Sequence, residues 1–254
     1  MRELLFLLAC GTALAGAEYF EGFDRPGTPA GRDGLHWEYL AELSEAEWKT
    51  LIPGDGFAYL QADRSALNAA WLGSGRWPFQ VLSVGPVSPG HRISMRAKDA
   101  VIPGLAGQLF TYREEEGTIQ EIDVEIVAED AEFPGREKGG TDLRLNVWLD
   151  QPADALRPRH GFHQLLRDVQ GRPVSHQDGR FHIYTIEWKD AEVRFYADGV
   201  LQAVSEDAPA SPARVIFGLR QTPWAGRSDW AGSRAMTVDW IVIEPLDPPT
   251  IPST

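Results

Sequence analysis

Short alternating segments, broken every few residues by Gly, Pro, Asp or Asn, constrain this 254-residue chain more than any other feature. Strand-like runs fall at 57–62, 92–97, 108–112, 119–127, 142–149, 182–189, 192–197, 213–219 and 235–244. Alternation is plainest in Ile183-Tyr184-Thr185-Ile186-Glu187-Trp188 and in Val193-Arg194-Phe195-Tyr196, which share the turn Lys189-Asp190-Ala191. Asp198-Gly199 then closes the second strand with a hairpin signal. Helical periodicity is confined to Leu40–Leu51 and Gly161–Val169, where short helices are predicted. Many short strands, each with one apolar face, have to bury those faces against one another. The expected fold is an all-β sandwich or barrel. With no repeat and no linker, residues 18–245 read as one domain and the Pro-rich stretch 246–254 as an extended tail.

Charge and cysteine content narrow the setting. A net charge of -13 argues against nucleic acid or an anionic membrane as partner and is compatible with a neutral polymer such as a polysaccharide. Arg2, the apolar run Leu4–Ala9 and the small-x-small triplet Ala15-Gly16-Ala17 read as an export signal over residues 1–17. Cleavage near Ala17 predicts a secreted or periplasmic protein. Leu7-Leu8-Ala9-Cys10 resembles a lipoprotein acylation box behind a short leader. Cys10 is the one cysteine, so the mature form is expected to lack a disulfide, a thiolate metal site and a cysteine nucleophile. A monomer with no membrane contact is expected.

The chemistry concentrates in Glu121-Ile122-Asp123-Val124-Glu125. As a strand, the pentad places three carboxylates on one face and the β-branched residues on the other. Like charges so stacked repel, and folding alone supplies no reason for them; a merely solvated acidic face is the alternative. The Cα atoms of Glu121 and Glu125 would lie about 13 Å apart at ~3.3 Å per residue. Inclined side chains then bring the carboxyls toward the ~5–5.5 Å of a retaining glycosidase, short of the ~6.5–9.5 Å of an inverting one. Asp123, between them on a shorter stem, can bond one carboxyl and raise the pKa of a neighbour. A cation could bind here too, although no adjacent His or Asn completes a ligand set. No HExxH, GxSxG, Walker or GxGxxG pattern occurs.

Flanking residues carry a resemblance. Gly107-Gln108-Leu109-Phe110-Thr111-Tyr112 followed by Glu121-Ile122-Asp123-Val124-Glu125-Ile126 resembles the core signature of glycoside hydrolase family 16, in its lichenase (endo-β-1,3-1,4-glucanase) branch. Leu145-Asn146-Val147-Trp148, the hairpin from Phe181 to Gly199 and Met236–Ile241 continue the likeness in order. The resemblance implies a jelly-roll β-sandwich of two curved antiparallel sheets with a concave substrate cleft. It implies Glu121 as nucleophile, Asp123 as assistant and Glu125 as acid/base, with no cofactor for catalysis. The unbroken Glu-x-Asp-x-Glu spacing favours the lichenase branch over the laminarinase branch. A structural Ca2+ on the convex side, held by Asp239, is a further implication.

The same comparison puts Phe110, Tyr112, Asn146 and Trp148 in the cleft, the aromatics as stacking planes and Asn146 on a sugar hydroxyl. Where lichenases carry Asn-Leu-Trp-Asn, this chain has Gly218-Leu219-Arg220-Gln221. Arg220 thus replaces a subsite tryptophan, Trp224 or Trp230 could supply the missing plane, and an acidic or substituted sugar enters consideration. Trp188 and Trp240 read as packing residues. The functional expectation is a retaining endo-β-glycosidase acting on a β-linked polysaccharide. Transglycosylation on the same fold and a non-catalytic carbohydrate-binding module are its rivals.

Overall fold

The computed structural model describes residues 19–27, 38–39, 49, 51–63, 79–132, 140–152, 155, 157–227 and 230–246. The export signal, most of the helix expected at Leu40–Leu51 and nearly all of the tail lie outside these residues. Fourteen strands account for nearly all of the regular structure described: β1 (Tyr19–Glu21), β2 (Glu38–Tyr39), β3 (Ala58–Asp63), β4 (Phe79–Val87), β5 (His91–Lys98), β6 (Leu105–Glu115) and β7 (Thr118–Val127), then β8 (Asp142–Pro152), β9 (His160–Leu165), β10 (His182–Trp188), β11 (Val193–Ala197), β12 (Val200–Ser205), β13 (Ala213–Gln221) and β14 (Ser233–Pro245).

They form two antiparallel seven-stranded sheets. One runs β1-β14-β5-β10-β11-β12 with β3 also on β14; the other runs β2-β4-β13-β6-β7-β8-β9. The apolar residues of both inner faces make one core, including Leu60, Met95, Leu109, Ile122, Val124, Tyr184, Trp188, Phe195, Phe217 and Ile241. Period-two alternation explains the division: Ile122, Val124 and Ile126 of β7 are sealed in that core, so Glu121, Asp123 and Glu125 stand on the outer face of their sheet. The expected jelly roll is found.

Asp198 and Gly199 both have positive φ, as the tight turn joining β11 to β12 requires. The helix expected at Gly161–Val169 is a correction, because His160–Leu165 is strand β9, laid along β8 with Asn146 opposite Gly161 and Arg144 opposite His163. Phe162, Leu165, Leu166 and Val169 imitate a helical stripe, but the open edge of β8 offers a ladder of backbone hydrogen bonds, and tertiary pairing overrides a weak local signal.

Candidate active site

Strand register builds the site as three cross-strand rows. Glu121 faces Tyr112 of β6 and Trp148 of β8; Asp123 faces Phe110 and Asn146; Glu125 faces Gln108 and Arg144. Both ladders run unbroken through the pentad, the nearest irregularity falling between Ile119 and Glu121, so the three acids keep one face. Asp123 and Glu125 are buried and Glu121 is half-buried.

Each carboxyl has defined partners. Gln108 donates Nε2–H to Glu125 Oε1 at 2.8 Å, and Asn146 Nδ2 donates to Glu125 Oε2 at 3.4 Å. Trp148 Nε1–H donates to Asp123 Oδ2 at 3.0 Å. Asp123 and Glu121 share a hydrogen bond that favours the proton on Asp123 and the charge on Glu121. Burial pushes Glu125 up to about 8, reinforced by Asp123 and opposed by Arg220, Gln108 and Arg144. Burial likewise lifts Glu121 to about 7, against the Asp123 bond and Arg220 and with the help of Glu125. Asp123 is held well above the usual carboxylate range by burial and by Glu121. At neutral pH the row therefore holds less than three negative charges, which is how three acids coexist on one strand.

Around this row the residues singled out from sequence divide. Phe110, Tyr112 and Trp148 are half-buried beside the acids, and the Tyr112 hydroxyl donates to Glu114 at 2.8 Å. Arg220 of β13 sits in range of both Glu121 and Glu125. Trp224 is half-buried in a 3₁₀ turn, Pro223–Ala225, with its ring 4.0 Å from the Arg144 guanidinium. Trp230 is not available as a platform, since its ring is buried in the core and Nε1–H donates to Pro103 O at 2.9 Å. Trp188 is fully buried, its Nε1–H on Pro209 O, as a packing residue should be.

Sequence reasoning assigned no role to Gln108 or Arg144, although both were legible: Gln108, Phe110 and Tyr112 share one strand face by period two, as do Arg144, Asn146 and Trp148. Asp130, which binds Arg144, and His163, which meets Asp130, come from a loop and from the misread β9 and had no local signal.

Asp239 lies far along the chain, at an irregularity of β14 between Val238 and Trp240, and its carboxylate is ion-paired with Arg96 of β5. Arg96 in turn stacks over Phe181 at 4.4 Å. Calcium prefers six to eight oxygen ligands. A carboxylate already neutralised by a guanidinium does not fit that requirement, and no step below involves a metal.

Two antiparallel sheets carrying a buried row of paired carboxylates, flanked by aromatics and amides, define a glycoside hydrolase. The profile of the family described as "Glycosyl hydrolases family 16" matches residues 90–242, and the chain belongs to that family. No curated protein sequence matches the chain. Among solved structures, it resembles a β-1,3-1,4-glucanase (lichenase) from a mouse hindgut metagenome at 20% identity and a TM-score of 0.62, over 90% of this chain and 99% of that one. A Bacillus licheniformis β-glucanase aligns at 17% identity and a TM-score of 0.61, over 90% and 98%. The Crh5 transglycosylase aligns at 18% identity and a TM-score of 0.58, over 91% and 85%. At these identities the likeness is one of fold. Among the described residues no helix is long and apolar enough to cross a membrane.

Proposed function

We propose that this protein is a retaining endo-β-glucanase, exported by its N-terminal segment and acting on a β-1,3-1,4-glucan or a related β-linked polysaccharide. The observation that carries this reading is the row itself: Glu121, Asp123 and Glu125 share one face of β7, with Tyr112, Phe110 and Gln108 across on β6 and Trp148, Asn146 and Arg144 across on β8. The hydrogen bond between Asp123 and Glu121 favours the charge on Glu121, while burial raises Glu125 to about 8. A carboxyl favoured as the anion and a second one favoured as the acid, on the same strand face, are the nucleophile and the proton donor that double displacement needs.

In the first step Glu121 attacks the anomeric carbon and Glu125 gives its proton to the departing glycosidic oxygen. The glycosyl–Glu121 ester is then hydrolysed by water that passes a proton back to Glu125, restoring both groups. Asn146 Oδ1, buried and without a partner among the described residues, is an acceptor suited to a sugar hydroxyl. Tyr112 and Trp148 beside Glu121, and Phe110 beside Asp123, supply planes for ring faces.

The test is release of reducing ends across a panel of β-glucans, galactans and acidic polysaccharides, with the anomer of the new end read by proton NMR. A β-glucan should be cleaved with retention, and Glu121→Gln should abolish turnover in a folded protein; full activity of that variant, or inversion, would refute the mechanism. Products longer than the substrate would mark the transglycosylase alternative, to which the resemblance to Crh5 lends support.

A further inference from the structure

Beyond Glu125 the cleft sheet carries a second charged cluster that catalysis as derived above does not use. Arg144 is buried on β8, directly across from Glu125 on one side and from His163 of β9 on the other. Directly paired residues on a sheet face have Cβ atoms ~4.5–5.5 Å apart, so this guanidinium starts beside the proton donor. It donates Nε–H to Asp130 Oδ2 at 2.7 Å, and Nη2–H to Asp130 Oδ1 at 2.6 Å and to Glu132 Oε2 at 2.9 Å. Two parallel bonds to one carboxylate fix the guanidinium plane.

Asp130 is itself immobilised. Its backbone N–H donates to Asp142 Oδ2 at 2.9 Å, and its carboxylate accepts Glu132 N–H at 3.1 Å and lies 3.5 Å from His163 Nδ1. Burial alone would raise Asp130, but His163 and Arg144 hold it down at about 2, so the anion is permanent. Against the guanidinium, at 4.0 Å, lies the indole of Trp224. The turn carrying it is tied to the same loop by Ala131 N–H, which donates to Trp224 O at 2.7 Å, and to the β5–β6 connection by Gly104 N–H, which donates to Ala225 O at 2.9 Å. One guanidinium therefore touches a fixed anion and an aromatic plane, and stands opposite the proton donor.

We propose that Arg144 is a positioning residue that couples leaving-group binding to proton donation: it holds the Trp224 plane as a platform for the departing sugar and sets its charge against Glu125. The assignment rests on the reading of Glu125 as the proton donor, because that reading places the departing sugar at the Glu125 end of the row. When Glu125 releases its proton the new carboxylate faces a cation already oriented, with no rearrangement required. The charged and titratable groups facing Glu125 are Glu121 and Asp123 on its own strand, Arg144 on β8 and Arg220 on β13, with the neutral Gln108 on β6 and Asn146 on β8. Of the two cations, Arg144 is the one paired with Glu125 in the register and backed by a buried anion.

The experiment compares Arg144→Gln, Arg144→Lys, Asp130→Asn and Trp224→Ala on a β-glucan oligosaccharide and on an aryl glycoside whose leaving group departs without protonation. Arg144→Gln should lose ten-fold or more in kcat/KM on the oligosaccharide and less than three-fold on the aryl glycoside. Its basic pH limb should move up by about one unit, the size of shift a charge at this range produces. Asp130→Asn frees the guanidinium from its anion and should move the same limb down. Arg144→Lys keeps the charge without the planar fork, so it should hold the limb and raise KM; Trp224→Ala should raise KM for the oligosaccharide alone. A merely structural role would depress both substrates equally and leave the limb in place in every variant. That result in an active enzyme overturns this assignment alone, and if Arg144→Gln fails to fold, the opposed predictions for Asp130→Asn and Arg144→Lys decide the matter. A wild type that cleaves none of the panel overturns the glycosidase reading and this assignment with it.

Discussion

Replacing Glu125, the proposed proton donor, should make this protein more stable while it destroys activity. Glu125 is buried on β7 and its pKa rises from 4.5 to about 8, first by burial and then by the adjacent Asp123. Below pH 4.5 the carboxyl is protonated folded or unfolded and contributes no pH dependence. As pH rises from there, the unfolded chain releases its proton while the folded one keeps it, so folded stability falls until the folded group titrates near 8. At pH 7 the loss from this group approaches about 3 kcal/mol, at 1.36 kcal/mol per unit. Glu125→Gln keeps the shape, retains the Gln108 contact through its carbonyl and carries no charge to bury. The variant should gain about 2 to 3 kcal/mol at pH 7 and melt some 5 to 10 °C higher, at roughly 2–4 °C per kcal/mol for a domain of this size. Thermal unfolding of both proteins at pH 4 and pH 7, followed by circular dichroism, checks this. A variant with the wild-type melting temperature at pH 7, or an equal gain at both pH values, refutes the claim that burial is what raises Glu125.

Three further outcomes follow from other parts of the molecule. His176 and His182 stack face to face at 3.5 Å; Asp198 and Asp178 take both nitrogens of His182, and burial next to the His182 ring holds His176 down at about 4. A lowered histidine favours the fold above 6.5 and ceases to as pH falls toward 4, so His176→Phe should remove about 3 kcal/mol of acid sensitivity across that window, measured as the change in wild-type minus variant unfolding free energy. Because Arg96 already neutralises Asp239, a chelator should leave the melting temperature unchanged, while Arg96→Gln should lower it. Trp148→Phe keeps a ring plane but removes the 3.0 Å bond to Asp123; kcat should fall about ten-fold with little change in KM, read from initial rates on the best substrate of the panel.

What sequence could and could not disclose follows from how local each determinant is. The strand β7 and its three acids were legible because alternation is a property of consecutive residues, and the same rule fixes Ile122 and Val124 as core. Phe110, Asn146 and Trp148 were reachable through the family signature, which preserves the order of strands. The face that Arg144 occupies was legible by period two, but its role was not. Its meaning depends on Asp130 from the β7–β8 loop, His163 from β9 and Trp224 from a turn 80 residues downstream, and only the register of β8 between its two neighbours brings these together. The error at β9 shows the same dependence, since Phe162, Leu165 and Leu166 are compatible with a helix until the edge of β8 claims their backbone. Charge obeys this division as well. Asp239 in isolation is a plausible metal ligand, but opposite Arg96 it is half of an ion pair. The residues proposed to perform the chemistry sit in a run of five, whereas those proposed to tune it are gathered from several strands and turns. Substrate preference should therefore vary through Trp224 without disturbing the row of acids, whereas changes at Arg144 or Arg220 shift the acids they face.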